Sequence, residues 1–489
     1  MIPFGKWNPD LFSTNSAFAS EAKGVIPGAN SKLPWPSLAA FTNALAATCA
    51  GAVLVRDGSG SNQIFAGTST RLYKLNSSTL AFDNVTRSSG GNYTVPAGDR
   101  WQWAVFGDNL YAAQIGDVMQ SINMASGTNF AAVSGSPPQV RYIKTIGDQI
   151  WAGSDTTQDN RITWCGRNAP TFWATGGGQD CDFQDFPDGG FVRGMVGISS
   201  GYVFQDDAIR GFAPSSGREI YSFAKIDDAS GILSPDSIVS YLDTNYYLGT
   251  DGFRTIGSQG IGRIGLDAVD EWFADTASQD LTQLGLTSGV IDPLRPRVFW
   301  AFTTLGSGST LDHMLCYDIP LQEWTHAEIS TQLLLQSATA GYTMEGLATP
   351  YPNLDLLTVS LDSRAWAGGS PVLSGFDTDN KLGFFNGPNL QAIAETAEFQ
   401  AIPGRRTMVT GIRPITDSAN VKVNVGTRQT LQTTETASYR GDKNINGRGW
   451  APARASGRYH TVRTTIDAAE DWNDLQGVEV EKMAAGGER

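Results

Sequence analysis

The chain is short of charge, histidine, cysteine and long apolar runs, and each shortage removes a class of function. Only 17% of its 489 residues are charged, so much of the polar surface must come from Ser, Thr, Asn and Gln, as expected of a protein partly covered in an assembly. The three histidines, His313, His326 and His460, form neither H-x-x-x-H nor H-E-x-x-H. A metal or general-base site would have to be gathered from distant positions, and His460, within a Thr- and Arg-rich stretch, reads as a surface residue. The four cysteines, Cys49, Cys165, Cys181 and Cys316, include no C-x-x-C pair, so neither a zinc site nor a disulfide framework is indicated. Cys165 and Cys181 could meet across a hairpin, but buried free thiols in a reducing cytoplasm are the preferred reading. Residues 1–9 hold one Lys and no apolar core, so no secretory leader is expected. The charge-free stretch Leu38 to Val55, about the length of a membrane span, is diluted by Thr42, Asn43, Thr48 and Gly51; it reads as a loop entering a first strand, not a membrane span.

Basic charge is also scarce. The net charge is −14 with a pI near 4.7, which argues against a protein that grips nucleic acid through clustered Lys and Arg. The same acidity suits a conduit through which DNA slides without adhering.

What is abundant is glycine (55) and aromatics (13 Trp, 14 Tyr, 23 Phe), the composition of many short strands joined by tight turns. From Phe183 to Gly257, β-rich runs (Phe191–Ile198, Tyr202–Gln205, Ala208–Phe212, Ile220–Ala224, Ser237–Leu242, Asn245–Gly249, Gly252–Ile256) alternate with two or three Gly, Asp, Ser or Asn residues, the pattern of successive hairpins. One local shape returns six times: Ile64-Phe65-Ala66-Gly67, Leu110-Tyr111-Ala112-Ala113, Ile150-Trp151-Ala152-Gly153, Tyr202-Val203-Phe204-Gln205, Tyr246-Tyr247-Leu248-Gly249 and Val298-Phe299-Trp300-Ala301. Successive copies lie roughly 40 to 50 residues apart, the period of four-stranded propeller blades. The expected fold is all-β: a β-propeller over residues 51–394, with six blades favoured. The stretch from Leu354 to Phe385 is left either to close the ring or to form a seventh.

Residues 1–50, with Trp7, Pro9, Pro27, Pro34 and Pro36, read as an extended arm lying on another surface. Residues 395–489 change texture to longer Thr- and Val-rich runs (Thr407–Ile415, Val421–Val425, Gln429–Thr436, Tyr459–Ile466), expected to form an antiparallel sandwich-like platform. The tail 484–489 is expected to be mobile.

Several motifs invite chemistry. Gly197-Ile198-Ser199-Ser200-Gly201 matches the nucleophile elbow G-x-S-x-G, yet a strand follows where the elbow needs a helix, so it reads as a turn. Gly260-Ile261-Gly262-Arg263-Ile264-Gly265 matches G-x-G-x-x-G without the parallel βαβ unit a dinucleotide site requires, and reads as a blade-connecting loop. Asp377-Thr378-Asp379-Asn380 begins like a Ca²⁺ loop but lacks its later Gly and Glu, and reads as a solvated turn. The acids Asp206/Asp207, Asp227/Asp228 and Asp182/Asp185/Asp188 could supply a glycosidase pair, against their simpler role as turn and rim charges. The basic residues Arg405, Arg406, Arg413, Arg428, Arg440, Lys443, Arg448, Arg454, Arg458 and Arg463 gather in the C-terminal region. Docking on an acidic partner and an ordinary solvated surface weigh equally there. No catalytic, cofactor-binding or metal-binding residue is assigned.

The ordered phrases Val25-Ile26-Pro27, Leu33-Pro34-Trp35-Pro36-Ser37-Leu38, Phe65-Ala66-Gly67-Thr68 with Leu72-Tyr73, residues 182–190 (DFQDFPDGG), Val203-Phe204-Gln205 and residues 249–253 (GTDGF) resemble the tail nozzle, or tail tubular protein B, family of short-tailed bacteriophages. The resemblance runs over most of residues 20–480. It implies a virion protein assembled in the host cytoplasm: a propeller with a platform, six copies of which form a ring below the portal adaptor, with fibres or spikes at the periphery. Double-stranded DNA would be retained in and ejected through that ring without specific binding. The family brings no catalytic residue. Related propellers also serve as tail hubs or DNA-stabilising plugs, and a glycan-binding or glycan-cleaving propeller is the alternative from another class. A chromosomal or regulatory propeller scaffold is a third.

Overall fold

The computed structural model describes residues 1–11, 18–216, 219–338, 353, 369–432, 435–480 and the backbone of 483–485. Seven four-stranded antiparallel sheets surround a central channel. Blade one occupies residues 52–84, blade two 102–132, blade three 140–185, blade four 192–227, blade five 239–263 and blade six 288–331. Blade seven combines Leu333–Ala338, Pro371–Phe376 and Leu382–Asn389 with an outer strand, Pro36–Ala40, supplied from near the N-terminus. The favoured count of six is therefore corrected to seven. Part of the stretch left open, residues 354–368, lies outside the described residues; its remainder supplies blade-seven strands.

Each of the six repeated sequence runs is the second strand of its blade, and its composition follows from where that strand sits. Successive side chains of a strand point to opposite faces, and here each face meets a neighbouring blade. Phe65 packs toward blade two, in a cluster with Tyr93, Trp101 and Leu110, whereas Ile64 and Ala66 pack toward blade seven with Phe376 and Leu382. Trp151 packs toward blade four with Trp164 and Phe212, and Ile150 and Ala152 toward blade two with Tyr111. Seven buried clusters fill the seven seams in this way. At about 25 cal/mol per Å² of apolar surface, these seams supply most of the drive to close the ring.

The N-terminal arm is built into the chain's own sheets rather than left free to lie elsewhere. Lys6–Trp7 and Phe18–Lys23 extend blade six from its outer strand, Glu323–Thr331, and continue through Ala392–Thr396, Tyr459–Ile466 and Val421–Arg428 into an eleven-stranded sheet. Facing it, Thr407–Thr416, Ala451–Gly457 and Leu475–Val480 join the Val25–Gly28/Ser31–Pro34 hairpin in a seven-stranded sheet. These two sheets make the expected platform, and its core (Val409, Ile412, Val423, Val462, Trp472, Leu475) is continuous with that of blades five and six. Lys32 of the hairpin, 1% exposed, pairs with Glu323 of blade six. Trp35, buried against Phe299 with ring centroids 5.4 Å apart, marks the crossing from platform to blade seven.

Three further expectations are revised. Gln429–Thr436 forms no strand at its described positions, because Glu435 accepts hydrogen bonds from the Gln429 and Thr430 amides (both 2.8 Å) and closes a polar loop. His460 is buried, 1% exposed, because it lies on the inward face of its strand with Val462, Thr464 and Ile466, while Tyr459, Arg463 and Thr465 on the other face are only half-buried. In the tail, Met483–Ala485 pairs with Thr407–Val409; residues 486–489 lie outside the described residues.

Candidate functional site

The innermost strand of every blade contributes to the channel wall, which encloses about 530 Å³. Its lining is mixed: Val53, Trp103, Ile238 and Ile291 beside Gln102, Lys144, Ser240 and Gln336. Lys144 is solvent-exposed by area, yet the surrounding walls desolvate its ammonium and push its pKa down.

One mouth opens into a cavity of about 450 Å³ built from the connections between blades and the turns joining second to third strands. Three arginine–carboxylate pairs organise it. Asp99, just before blade two, pairs with Arg141 on the inner strand of blade three. On blade four, Arg193 Nε lies 2.5 Å from Asp206 Oδ1, while Asp206 Oδ2 accepts the Phe191 amide at 2.8 Å. Asp236, in the short 3₁₀ turn Pro235–Ser237 before blade five, accepts from Arg100 Nη1 at 3.2 Å and Gln102 Nε2 at 2.9 Å, both from blade-two territory. Arg100 also donates to the Gln332 carbonyl at 2.9 Å, between blades six and seven. These bonds tie non-adjacent blades across the mouth. Tyr142 lies beneath them, its phenol pushed up to about 12 by burial.

The acid pairs considered for catalysis are dispersed by the fold. Asp206 is held by Arg193, Asp227 by Arg254 at 3.1 Å, Asp185 by Arg161 at 2.6 Å, and Asp188 by Arg210 and Lys225. The hydrogen bond from Arg161 holds the Asp185 carboxyl below its ordinary range, and that from Lys225 does the same for Asp188. A glycosidase acid needs the opposite shift. Asp182 accepts the Phe183 amide at 2.9 Å and forms no ion pair among the described residues.

Ser199 sits exposed at the tip of the hairpin between Val192–Gly197 and Gly201–Gln205, so the elbow motif is a turn. The G-x-G-x-x-G stretch is mostly the outer strand of blade five, Gly260–Arg263, rather than a loop. Its last glycine, with Gly252, leaves room for Asp270: a Cβ at either would collide with that carboxyl. Asp270 Oδ1 accepts the Phe253 amide at 3.0 Å, Oδ2 is buried without a partner, and desolvation lifts the carboxyl to about 6. Sequence reading missed this residue; the two flanking glycines are the signal that could have found it. Asp377 accepts the Asp379 and Lys381 amides at 2.9 and 2.8 Å, closing a turn in blade seven.

The fold does bring two distant histidines together. His313 and His326, on adjacent strands of blade six, stack with centroids 5.8 Å apart, and His326 Nε2 lies 2.6 Å from Glu21 Oε1. Trp7 stacks on His326 at 4.6 Å, so the pair anchors the N-terminal arm. Among the described residues, no three His, Cys, Asp or Glu side chains are grouped to hold a metal. All four cysteines are free and buried, with the Cys49 thiol pushed up to about 12 by desolvation. No helix among the described residues is long and apolar enough to cross a membrane.

No protein-family model matches this chain, and no curated protein matches it. Among solved structures it is similar to BamB from Moraxella catarrhalis, with 13% identity over 74% of this chain and 92% of that one and a TM-score of 0.37. YCF48 bound to D1 peptide is 12% identical over 60% and 86%, with a TM-score of 0.37. The computationally designed Ika8 protein is 6% identical over 74% and 95%, with a TM-score of 0.38. BamB and YCF48 are β-propellers; the propeller assignment here stands on the seven blades themselves.

Proposed function

We propose that this chain is a structural, non-enzymatic subunit of a phage tail, the nozzle through which genomic DNA is retained and ejected. The observation that carries the non-enzymatic half is the channel mouth: of its four lining carboxylates, Asp99, Asp206 and Asp236 are each held by an arginine, Asp236 across the bore, and only the exposed Asp207 has no ion pair among the described residues. A propeller braced in this way is a rigid block rather than an open catalytic cup.

The tail assignment is supported by the resemblance, whose phrases fall on structural ties. Residues 33–38 span the crossing from platform to blade seven. Residues 182–190 hold the Asp185–Arg161 and Asp188–Arg210 pairs, and Gly189 and Gly190, at φ +86° and +78°, make the turn into blade four. In residues 249–253, Asp251 pairs with Arg254 at 2.5 Å. Six copies of a chain of net charge −14 carry about −84, and acids facing a common lumen would repel the DNA backbone so that it slides.

The test is the copy number and position of the chain in purified particles, by quantitative mass spectrometry with symmetry-resolved cryo-EM. About six copies in a ring on the tail axis, a closed cyclic assembly, are expected. Absence from particles overturns the reading and returns attention to a glycan-active propeller.

A further inference from the structure

At the end of the channel opposite the arginine-braced mouth lie the turns between first and second strands of blades one to six. Neighbouring turns touch: the Gly147 amide donates to the Ile198 carbonyl at 2.5 Å, and a Cβ on Gly58 would press on Asp108. Five of these turns carry an aspartate: Asp57, Asp108, Asp148, Asp243 and Asp292. None of the five forms an ion pair among the described residues, and Asp108, Asp148 and Asp243 are exposed. Between blades three and five the face opens into a groove of about 970 Å³ lined by Tyr202, Phe212 and Phe223. Two large apolar side chains rim that groove almost wholly in water, Ile198 at 84% and Leu242 at 87% exposed. Apolar side chains grouped at a groove among turn aspartates mark an interaction face; Lys144 in the groove and Arg295 beside Asp292 are the cations among them.

The platform carries the complementary surface. Its edge strand Ala451–Gly457 pairs on one side only, with Thr407–Thr416. Arg448, Arg454 and Arg458 on that edge and the turn before it, with Arg440 and Lys443 at the short strand Lys443–Asn444 of the facing sheet, are exposed and have no carboxylate partner among the described residues; Asp442 is the one acid between Arg440 and Arg458. Trp450, half-buried in their midst, offers an apolar centre. The hydrogen bonds and ion pairs of the described residues join neither surface to the other.

We propose that the cationic platform edge of one copy docks on the acidic, grooved propeller face of a second copy, a head-to-tail contact between two different surfaces. This rests on the reading that the chain assembles with itself. Such heterologous contacts generate rings when the rotation closes. Duplex DNA is the less favoured occupant of the edge, because a chain of net charge −14 repels phosphate at long range.

Sedimentation velocity of the purified full chain across a salt series tests the contact. Self-association that weakens steeply with salt is expected. The exposed-surface variants Arg448→Glu/Arg454→Glu/Arg458→Glu and Asp108→Lys/Asp148→Lys/Asp243→Lys should each weaken it about tenfold or more. Mixing the two should restore it, since each reversed surface then meets a complementary one; restoration also shows that both variants fold. Association indifferent to both reversals overturns this contact while leaving self-assembly intact. A chain monomeric at every salt concentration, with an edge that binds duplex DNA, overturns it too. Copy number in particles decides the nozzle reading separately.

Discussion

Among the described residues, ten arginines of the propeller, including Arg87, Arg141, Arg161, Arg193, Arg254 and Arg297, reach a carboxylate. In the platform, Arg428 and Arg463 reach Glu398 and Glu395, Arg413 approaches Glu479 only at 3.7 Å, and the exposed arginines around the edge strand reach none. In the acidic propeller many cations are taken up by the chain's own acids, some between blades (Arg87–Asp117, Arg100–Asp236, Arg141–Asp99, Arg254–Asp227) and some within one (Arg161–Asp185, Arg193–Asp206, Arg297–Asp318), while Arg56, Arg71 and Arg295 make no ion pair among the described residues. The platform as a whole holds nearly as many acids as cations, but between Arg440 and Arg458 its cations Arg440, Lys443, Arg448, Arg454 and Arg458 share the stretch with one acid, Asp442. Much of the propeller's cationic charge is bonded within the fold; the cations along the platform edge have no carboxylate partner among the described residues.

Breaking a buried brace should cost most. Lys32 and Glu323 are 1% and 9% exposed at the seam between platform hairpin and blade six. Lys32→Met would strand a carboxylate out of water and should lower unfolding free energy by about 3–5 kcal/mol, whereas the double variant with Glu323→Leu should recover most of the loss. Chemical denaturation read by tryptophan fluorescence checks both. A single variant as stable as the parent would place this pair with the idle surface charges.

The cross-channel tie should come next. Arg100→Ala removes one of two side-chain donors to Asp236, which is 23% exposed, and the bond to the Gln332 carbonyl. A loss of about 1–3 kcal/mol is expected. A double-mutant cycle with Asp236→Asn should give a coupling of the same sign; zero coupling would mean the mouth is not braced.

These braces mark where sequence reading stops. The second strands of six blades were legible because alternation between two apolar faces is local, and the hairpins of blades four and five agree with their sequence pattern to within a few residues. Blade seven was not, since its outer strand, Pro36–Ala40, pairs with residues near Phe384, and no local pattern states such a partner. Arg100 and Asp236 lie 136 positions apart for the same reason. His460 misled because its polar neighbours suggested a water-facing strand, whereas its alternate residues Val462, Thr464 and Ile466 share the face that the platform core covers. The acid clusters were legible as turns, but their arginine partners became visible only with the blades in register.

A smaller effect, of opposite sign, sits between the two regimes. Asp270 is an unpaired propeller acid whose folded carboxyl, lifted to about 6, titrates above its unfolded value of 3.8. Between those values the folded state binds more protons than the unfolded one, so this group's contribution becomes less favourable as pH rises through that window. Asp270→Asn keeps an oxygen for the Phe253 amide and should raise stability by about 1 kcal/mol at pH 7, the full shift being discounted for partial solvent exposure. Near pH 4 the gain should shrink toward zero. Unfolding curves at the two pH values check the sign, and a gain that grows toward low pH would contradict it.

The smallest effect on stability belongs to the platform edge, and there the contrast is sharpest. Arg454 stands exposed on a strand whose alternate residues, Ala453 and Ala455, face the core. Since it makes no ion pair among the described residues, Arg454→Ala should move unfolding free energy by no more than about 0.5 kcal/mol. The same change should reduce the salt dependence of self-association measurably, because an interfacial charge acts through long-range attraction to the opposite face rather than through the fold. Thermal denaturation and sedimentation on one preparation separate the two quantities. A side chain that is silent in the first and active in the second does not belong to the fold's internal bracing. If Arg454→Ala instead destabilised the chain by as much as Arg100→Ala, the platform cations would be bracing groups like those of the propeller, and the division between the two regions would fail.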